Sequence, residues 1–265
     1  MVALRKYTWV GFTAARSNSA YLSEVLTRIL FMVVVLFIFL HLWRATYGQT
    51  QSDQLGGLTL AQMLWYVSMT EALTLSTPVI TREVDQDVRT GALAVQLTRP
   101  LNYPLYRLFM ALGERAVRFP INMLVGAAVA WLLVGPIPFT VGGLLLFAVS
   151  LPFAFVLNFL GLFLIGLGAF WMEDTSGLFL IYSRVTMILG GMLIPLELFP
   201  EGWQSILKIL PFSSMVYGPA HLFVQPDPAF LADLLVRQGA AIIVFAVVIV
   251  VLYRAAIKRI NANGG

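Results

Sequence analysis

The sequence contains no cysteine and only two histidines among its 265 residues. The missing cysteines exclude a disulfide framework, a thiol nucleophile and a cysteine metal site. A zinc site of the His-Glu-x-x-His type needs two histidines four residues apart, which His41 and His221 cannot supply. No Gly-x-Ser-x-Gly motif occurs either. The sequence therefore offers little support for an enzyme.

Lysine is almost as scarce, and its positions exclude one kind of nucleotide site. The phosphate-binding loop of ATPases places a lysine directly after a glycine, because loop amides and that lysine hold the phosphates together. None of the three lysines, Lys6, Lys208 and Lys258, follows a glycine. We therefore expect no ATP bound by this loop, and no cofactor or metal in this chain.

Charged residues are few, at 11% of the chain, whereas 59% of the residues are hydrophobic. Soluble domains carry about 25% charged residues, so this composition is typical of an integral membrane protein. The net charge of +4 is not arranged as a basic patch interleaved with aromatic residues, and we expect no nucleic-acid partner. We expect membrane lipid to surround the chain.

The clearest membrane signal is residues 119–172, 54 residues without one Asp, Glu, Lys or Arg. A single helix of that length would measure about 80 Å, against a hydrocarbon core of about 30 Å. The glycines and prolines of residues 135–143 supply a break between two helices. We predict an all-α integral membrane protein with one domain, residues 1–265, and six transmembrane helices. The predicted spans are 25–43, 58–80, 108–134, 141–170, 177–196 and 234–253.

The cations predict the orientation of these spans. With both termini in the cytoplasm, twelve of the seventeen Lys and Arg residues lie in inner segments and three in outer segments. Residues 1–24 mix Arg5, Lys6 and Arg16 with aromatic residues, which predicts an amphipathic helix at the inner membrane interface. The alternative for residues 1–24 is an unstructured basic tail.

Residues 82–107, which we call the elbow, form the one segment where acidic and basic residues alternate closely. Four apolar residues recur at spacings of four, four and three, which predicts one side of an amphipathic helix: Val84, Val88, Ala92 and Val95. Gly91 is predicted to end or bend this helix. Pro100 and Pro104 exclude one continuous helix through to Arg107. Our hypothesis is that the elbow transmits force from a soluble partner.

Two ionisable residues, Glu71 and Arg184, lie in the interior of predicted spans. Glu114, Arg115 and Arg118 lie instead at the entrance of the third span, where they are expected to form an interfacial cluster that anchors the helix and could pair with the elbow. An unpaired charge at the bilayer centre costs at least about 2.5 kcal/mol, so such residues usually face a partner or a wet cavity. Glu71 and Arg184 are candidates for a translocation path or for intramembrane pairing. The alternative is that each lies near a span end and reaches the interface. Residues 197–232 are apolar but interrupted by prolines, which predicts a short re-entrant or surface segment on the outer face.

Two motifs resemble the permease subunit of a type-2 ABC exporter, the ABC-2 membrane family. The first is the elbow sequence Arg82-Glu83, then Thr90-Gly-Ala-Leu93 and Gln96-Leu-Thr-Arg-Pro-Leu101. The second is the outer sequence Leu193-Ile-Pro-Leu-Glu-Leu-Phe-Pro-Glu-Gly-Trp203, followed by Leu210-Pro-Phe212. Six spans with both ends inside and a basic amphipathic N-terminus complete the resemblance, which extends over essentially the whole chain.

The resemblance implies a half-transporter that forms a homodimer, or a heterodimer with a second permease, in the bacterial cytoplasmic (inner) membrane. Separate ABC ATPase subunits would bind ATP and Mg²⁺, and the pair would export a hydrophobic or amphipathic drug, lipid, glycan or peptide. The elbow would be the coupling helix, and the outer segment would form a gate. Implied coupling residues are Arg82, Glu83, Asp85, Asp87, Arg89, Gly91 and Arg99. Implied gate residues are Pro195, Glu197, Pro200 and Trp203.

Two other functions remain open at the level of sequence. A stand-alone ion-coupled carrier or channel would need paired intramembrane carboxylates or inverted repeats, and Glu71 alone gives it some support. A membrane-embedded enzyme or assembly factor is disfavoured by the missing catalytic sets.

Overall fold

Glycine, proline and short polar turns divide the chain into a series of helices. The computed structural model describes residues 2–18, 22–50 and 52–263. These residues form α-helices joined by turns and two 3₁₀ turns, and they contain no strand. The helices are α1 (Val2–Asn18), α2 (Leu22–Thr50), α3 (Leu60–Leu75), α4 (Ile80–Arg89), α5 (Ala92–Leu97), α6 (Tyr103–Val134), α7 (Val141–Leu167), α8 (Ser176–Leu189), α9 (Glu201–Ile209), α10 (Pro211–Met215), α11 (Tyr217–Val224) and α12 (Pro228–Asn263). The predicted all-α architecture is confirmed.

Within the described residues, four helices are long and apolar enough to cross a membrane. They are Ile29–Thr50, Tyr103–Val134, Val141–Phe170 and Pro228–Lys258. The shortest has 22 residues, or about 33 Å, which matches the hydrocarbon thickness of a bilayer. The chain is a multi-pass membrane protein. The other two predicted spans are shorter helices, so the six-span topology stays a prediction.

The predicted span 58–80 is divided between α3 and the start of α4. Thr59 and Gln62 form a capping box that begins α3. Pro78 prevents α3 from continuing into α4, because proline lacks an N–H and disfavours helical backbone at the preceding residue. The 16 residues of α3 therefore extend only about 24 Å.

The predicted span 177–196 is α8, which ends at Leu189. Gly191 follows with a φ of 69°, a left-handed conformation that glycine adopts at no steric cost. α8 consequently has 14 residues and a length of about 21 Å.

α2 is longer than predicted and runs through Arg44 to Thr50, where a polar loop was expected from residue 46. The Thr46 and Thr50 hydroxyls donate to carbonyls one turn back, and the Tyr47 hydroxyl donates to the Leu58 carbonyl at 2.7 Å. These bonds hold the helix end in place. The last span is also longer than predicted, because α12 begins at Pro228, a residue suited to the first turn of a helix.

α3 lies at the centre of the protein. Its eleven consecutive residues from Met63 to Leu73 are all buried, against α2, α6 and α11. The Trp65 indole N–H donates to the Gly135 carbonyl at 2.9 Å, and the Tyr66 hydroxyl donates to the Gly191 carbonyl. Hydropathy alone cannot distinguish such a helix from one that faces lipid, because both are apolar on every side.

α1 packs along the first half of α6, which explains why residues 2–18 form an ordered helix. A Cβ at Gly113 would overlap the carbonyl oxygen of Gly11, so the two backbones cross at a pair of glycines. The Tyr7 hydroxyl accepts the Asn102 N–H at 2.8 Å. Residues 1 and 19–21 of the predicted interfacial segment 1–24 lie outside the described residues.

We expect Gly113→Ala to destabilise the protein by about 2 kcal/mol, because the added methyl group forces α1 away from α6. Thermal unfolding of the purified protein in detergent measures this loss. Gly48→Ala is the matched control, since Gly48 also lies in a helix but a Cβ there meets no atom within 4 Å. Equal unfolding midpoints for the two variants would contradict the close crossing of α1 and α6.

Candidate functional site

The elbow begins as α4, which is fixed against α7. Val84 is fully buried, and a Cβ at Gly166 would come within 2.8 Å of the Val84 Cβ. The Thr81 hydroxyl donates to the Leu162 carbonyl at 2.9 Å. The close approach at Gly166 therefore sets how near α4 lies to a membrane-spanning helix.

One edge of α4 is joined to α6 by an ion-pair cluster. The Arg107 guanidinium donates to Glu83 at 2.8 Å and to Asp87, and the Tyr103 hydroxyl donates to Asp87 at 2.7 Å. Burial raises the pKa of the Glu83 carboxyl above its ordinary value, and the nearby Arg107 opposes this rise. Arg107 and Asp87 are both buried, so neither can lose the other without leaving a poorly solvated charge.

The other edge of α4 is joined to the turn before α8. The Thr175 hydroxyl donates to Asp85 at 2.9 Å, and Arg89 pairs with Asp85 at 2.9 Å and with Asp174 at 3.6 Å. Asp174 also accepts two hydrogen bonds from Ser176, which hold its pKa below the ordinary value. α4 is therefore tied to both α6 and α8.

The left-handed Gly91, with a φ of 72°, separates α4 from α5. This break changes the helical phase, so Val95 does not share the buried face of Val84 as predicted: it is 62% exposed, and Leu93 is buried instead. Arg82 and Arg99 are exposed. The predicted coupling residues thus divide into two sets, with Glu83, Asp85, Asp87 and Arg89 in ion pairs within the chain and Arg82, Gly91 and Arg99 open to solvent.

Both terminal helices come close to this site. The Tyr253 ring of α12 stacks on Tyr103 at a centroid distance of 6.3 Å, and Tyr7 of α1 binds the Asn102 amide. We call this part of the molecule the elbow end.

Arg115 lies outside the predicted set of coupling residues, although the sequence placed it with Glu114 and Arg118 in a cluster at the entrance of the third span. It is buried in α6, and its guanidinium donates to the Leu73 carbonyl at 2.7 Å, Asn158 at 3.0 Å and Ser76 at 3.2 Å. The guanidinium also lies 4.2 Å from the centre of the Phe155 ring. Arg115 holds the end of α3 next to the break that leads into α4. The sequence predicted an interfacial position for Arg115, whereas the structure buries its guanidinium among neutral acceptors.

The two predicted intramembrane residues lie apart and in different surroundings. Glu71 is buried in α3 and forms no hydrogen bond or ion pair with another described residue. Arg184 is exposed on α8. The structure does not bring them together as a pair.

The predicted gate residues lie at the end of the molecule opposite the elbow. The Tyr217 hydroxyl donates to Glu197, and His221 Nδ1 lies 3.4 Å from the same carboxylate oxygen. Pro195 is buried beside Glu197, whereas Pro200 and Trp203 are exposed at the start of α9. Over the described part of the chain, no three His, Asp or Glu side chains form a set that could hold a metal ion.

Comparison with known proteins gives one family match. A model of the ABC-2 family transporter proteins matches residues 28–264, nearly the whole chain. Among curated proteins no match was found.

We expect Asp87→Asn to destabilise the protein by about 2 kcal/mol, because it leaves the buried Arg107 with one partially exposed partner. Glu83→Gln should be milder, since the burial of its ionised carboxyl is unfavourable. Thermal unfolding in detergent measures both variants. Asp53→Asn, on an exposed loop, is the isosteric control. A midpoint for Asp87→Asn equal to that of the control would show that the cluster contributes nothing to stability.

Proposed function

The chain belongs to the ABC-2 family of transporter proteins, and from this membership we propose that it is the membrane subunit of an ATP-driven exporter. Membrane proteins of this family work with ABC ATPase partners. The proposed partner binds ATP and Mg²⁺ and hydrolyses the nucleotide, while this chain carries no cofactor and forms the path across the membrane.

The observation that carries the proposal is the double attachment of α4. α4 is joined to α6 by the ion pairs of Arg107, and to the start of α8 by a hydrogen bond from Thr175 and an ion pair with Asp174. A force on the elbow therefore acts on two membrane helices together. The attachment to α6 is a buried ion pair, and the attachment to the turn before α8 combines a partly buried hydrogen bond with exposed ion pairs of Arg89.

The solvent-exposed side of the elbow provides the proposed contact with the ATPase. We call it the coupling surface, and it consists of Arg82, Gln86, Val95 and Arg99. Arg82 and Gln86 lie one turn apart on α4. Val95, which is 62% exposed, adds an apolar side chain to this surface.

We further propose the six-span topology with both termini in the cytoplasm of a bacterial inner membrane. The arginine and lysine distribution supports it. So do the contacts of Tyr7 and Tyr253 with the start of α6, because they bring both terminal helices to the elbow end. α3 and α8 would be the second and fifth spans, and α1 would lie at the inner interface.

In this proposal the chain acts as a dimer, with itself or with a second permease, and exports a hydrophobic or amphipathic substrate. Motion of α4 would reach the outer segment through α8, which is followed by Gly191 beside Tyr66 and Tyr217. Glu197 and its partners Tyr217 and His221 would then form part of the outer gate.

A stand-alone ion-coupled carrier is the alternative that one observation favours. Glu71 is a buried carboxyl group without a hydrogen-bond partner among the described residues. Such a group could bind a proton or a cation during transport. This function would require neither a soluble partner nor an exposed coupling surface.

The double substitution Val95→Asp with Arg99→Glu tests the proposed function. We expect it to reduce the amount of ATPase that co-purifies with the tagged chain by about tenfold, since it places two negative charges on the coupling surface. The measurement is ATPase subunit per chain, with ATP hydrolysis assayed on the same preparation. Glu201→Arg, exposed at the opposite end, is the control.

Two results would contradict the proposal. One is a wild-type preparation that contains no ATPase and hydrolyses no ATP, even after crosslinking. The other is a double variant that retains as much ATPase as the control. Either result would favour the stand-alone carrier, and Glu71→Gln would then be the next variant to examine for loss of transport.

A further inference from the structure

The backbone between α3 and α4 is broken at residues 76–79, so the elbow is not a continuation of α3. α3 ends at Leu75, α4 begins at Ile80, and Pro78 lies between them. A break of this kind bends more easily than a continuous helix, because no unbroken series of backbone hydrogen bonds crosses it. Motion of the elbow is therefore transmitted to α3 in a defined direction only if side chains hold both sides of the break.

Arg115 of α6 holds the α3 side of this break. Its guanidinium donates to the Leu73 carbonyl at 2.7 Å, to the Ser76 hydroxyl at 3.2 Å and to the Thr77 hydroxyl at 3.3 Å. The same guanidinium donates to Asn158 of α7 at 3.0 Å. One side chain therefore joins the end of α3 and the first residues of the break to α6 and α7.

The charge of Arg115 is compensated by the end of α3 and not by a carboxylate. Arg115 is only 4% exposed, and none of the described ion pairs includes it. Leu73 is one of the last four residues of α3, whose carbonyls lack N–H partners within the helix and form the negative end of its dipole. A cation stabilises that end, whereas a buried cation without a compensating charge is unfavourable. Arg115 and the end of α3 thus stabilise each other.

The α4 side of the break is held by the same two helices. Arg107, eight residues before Arg115 on α6, pairs with carboxylates of α4. The Thr81 hydroxyl of α4 donates to the Leu162 carbonyl of α7 at 2.9 Å, one helical turn from Asn158. α6 and α7 therefore hold both sides of the break, and the two arginines of α6 are separated by about 12 Å along its axis.

α3 leads from this break to the outer segment. The Thr70 hydroxyl donates to the Met192 carbonyl at 2.9 Å, and the Tyr66 hydroxyl donates to the Gly191 carbonyl. Both carbonyls lie in the turn between α8 and the predicted gate residues. A displacement of α3 consequently displaces the contacts that position this turn.

We propose that Arg115 is a positioning residue that makes α3 follow α4, and so carries motion of the elbow along α3 to the outer segment. The inference rests on the proposed coupling function, and it adds a route through the centre of the protein to the route through α8. In this mechanism Arg115 contacts neither the ATPase nor a substrate. It acts by preventing the break at Pro78 from bending alone.

Hydrogen–deuterium exchange of the chain together with its co-purified ATPase tests the inference without knowledge of the substrate. Exchange is compared with and without Mg²⁺ and a non-hydrolysable ATP analogue, in peptides from the elbow and from residues 186–200. We expect the nucleotide to change exchange in both regions of wild type. Arg115→Gln should keep the elbow response and reduce the response of residues 186–200 about fivefold.

Three further variants separate positioning from a general loss of structure. Arg115→Lys keeps the positive charge at the end of α3, and we expect it to restore part of the outer response. Asn158→Ala keeps Arg115 and its bonds to α3 but removes its bond to α7, and we expect about half of the outer response. Arg44→Gln, an exposed arginine of α2, is the matched control and should leave both responses unchanged.

The inference is wrong if Arg115→Gln binds the ATPase and its outer response equals that of Arg44→Gln. If Arg115→Gln does not fold, Asn158→Ala is compared with the control by the same criterion. A wild-type protein that responds to nucleotide in the elbow alone would also overturn the inference. A wild-type preparation without ATPase would instead contradict the proposed function itself, and the inference with it.

Discussion

The position of the elbow depends on the ion pairs of the Arg107 guanidinium. Arg107 pairs with carboxylates on two successive turns of α4, Glu83 and Asp87. It projects from the start of α6, which is longer than every other described helix except α12. A lysine could not serve equally well, because one ammonium group lacks the planar fork that reaches two partners in fixed directions. Tyr103, one turn earlier on α6, donates to the same Asp87 and so limits how α4 can rotate.

The remaining contacts of α4 restrict the directions in which this helix can move. Val84 lies against Gly166, where no side chain on α7 could be accommodated, so α4 cannot move toward α7. Asp85 and Arg89 meanwhile hold the turn that begins α8. Displacement of α4 must therefore shift α6 or break the buried Arg107–Asp87 pair, and it must shift the turn before α8 or break the contacts of Asp85 and Arg89. Because breaking the buried pair is costly, moving α6 together with α4 is the easier response.

Sequence reasoning predicted the features that depend on local chemistry. A 54-residue run without charge had to contain two helices. Gly91 and the prolines of the elbow had to prevent one continuous helix through residues 82–107. It could not predict features that depend on distant residues. The exposure of Val95 follows from a change of helical phase at Gly91, and the burial of Asp87 follows from Arg107, twenty residues later. The short lengths of α3 and α8 follow from Pro78 and Gly191, whose effect a hydropathy window averages away.

Burial also explains why α3 is apolar although it is shorter than the four long helices. α3 is as apolar as a lipid-facing helix, yet its neighbours are other helices, and so it needs neither the length of a bilayer nor charged ends. The Arg115 guanidinium donates its hydrogen bonds to neutral acceptors, because Leu73, Ser76 and Asn158 lie around it. Arg184 has no such neighbours, since α8 contacts the rest of the chain on one side only. The same residue type is therefore held by neutral acceptors where three helices meet, and exposed where it lies on α8.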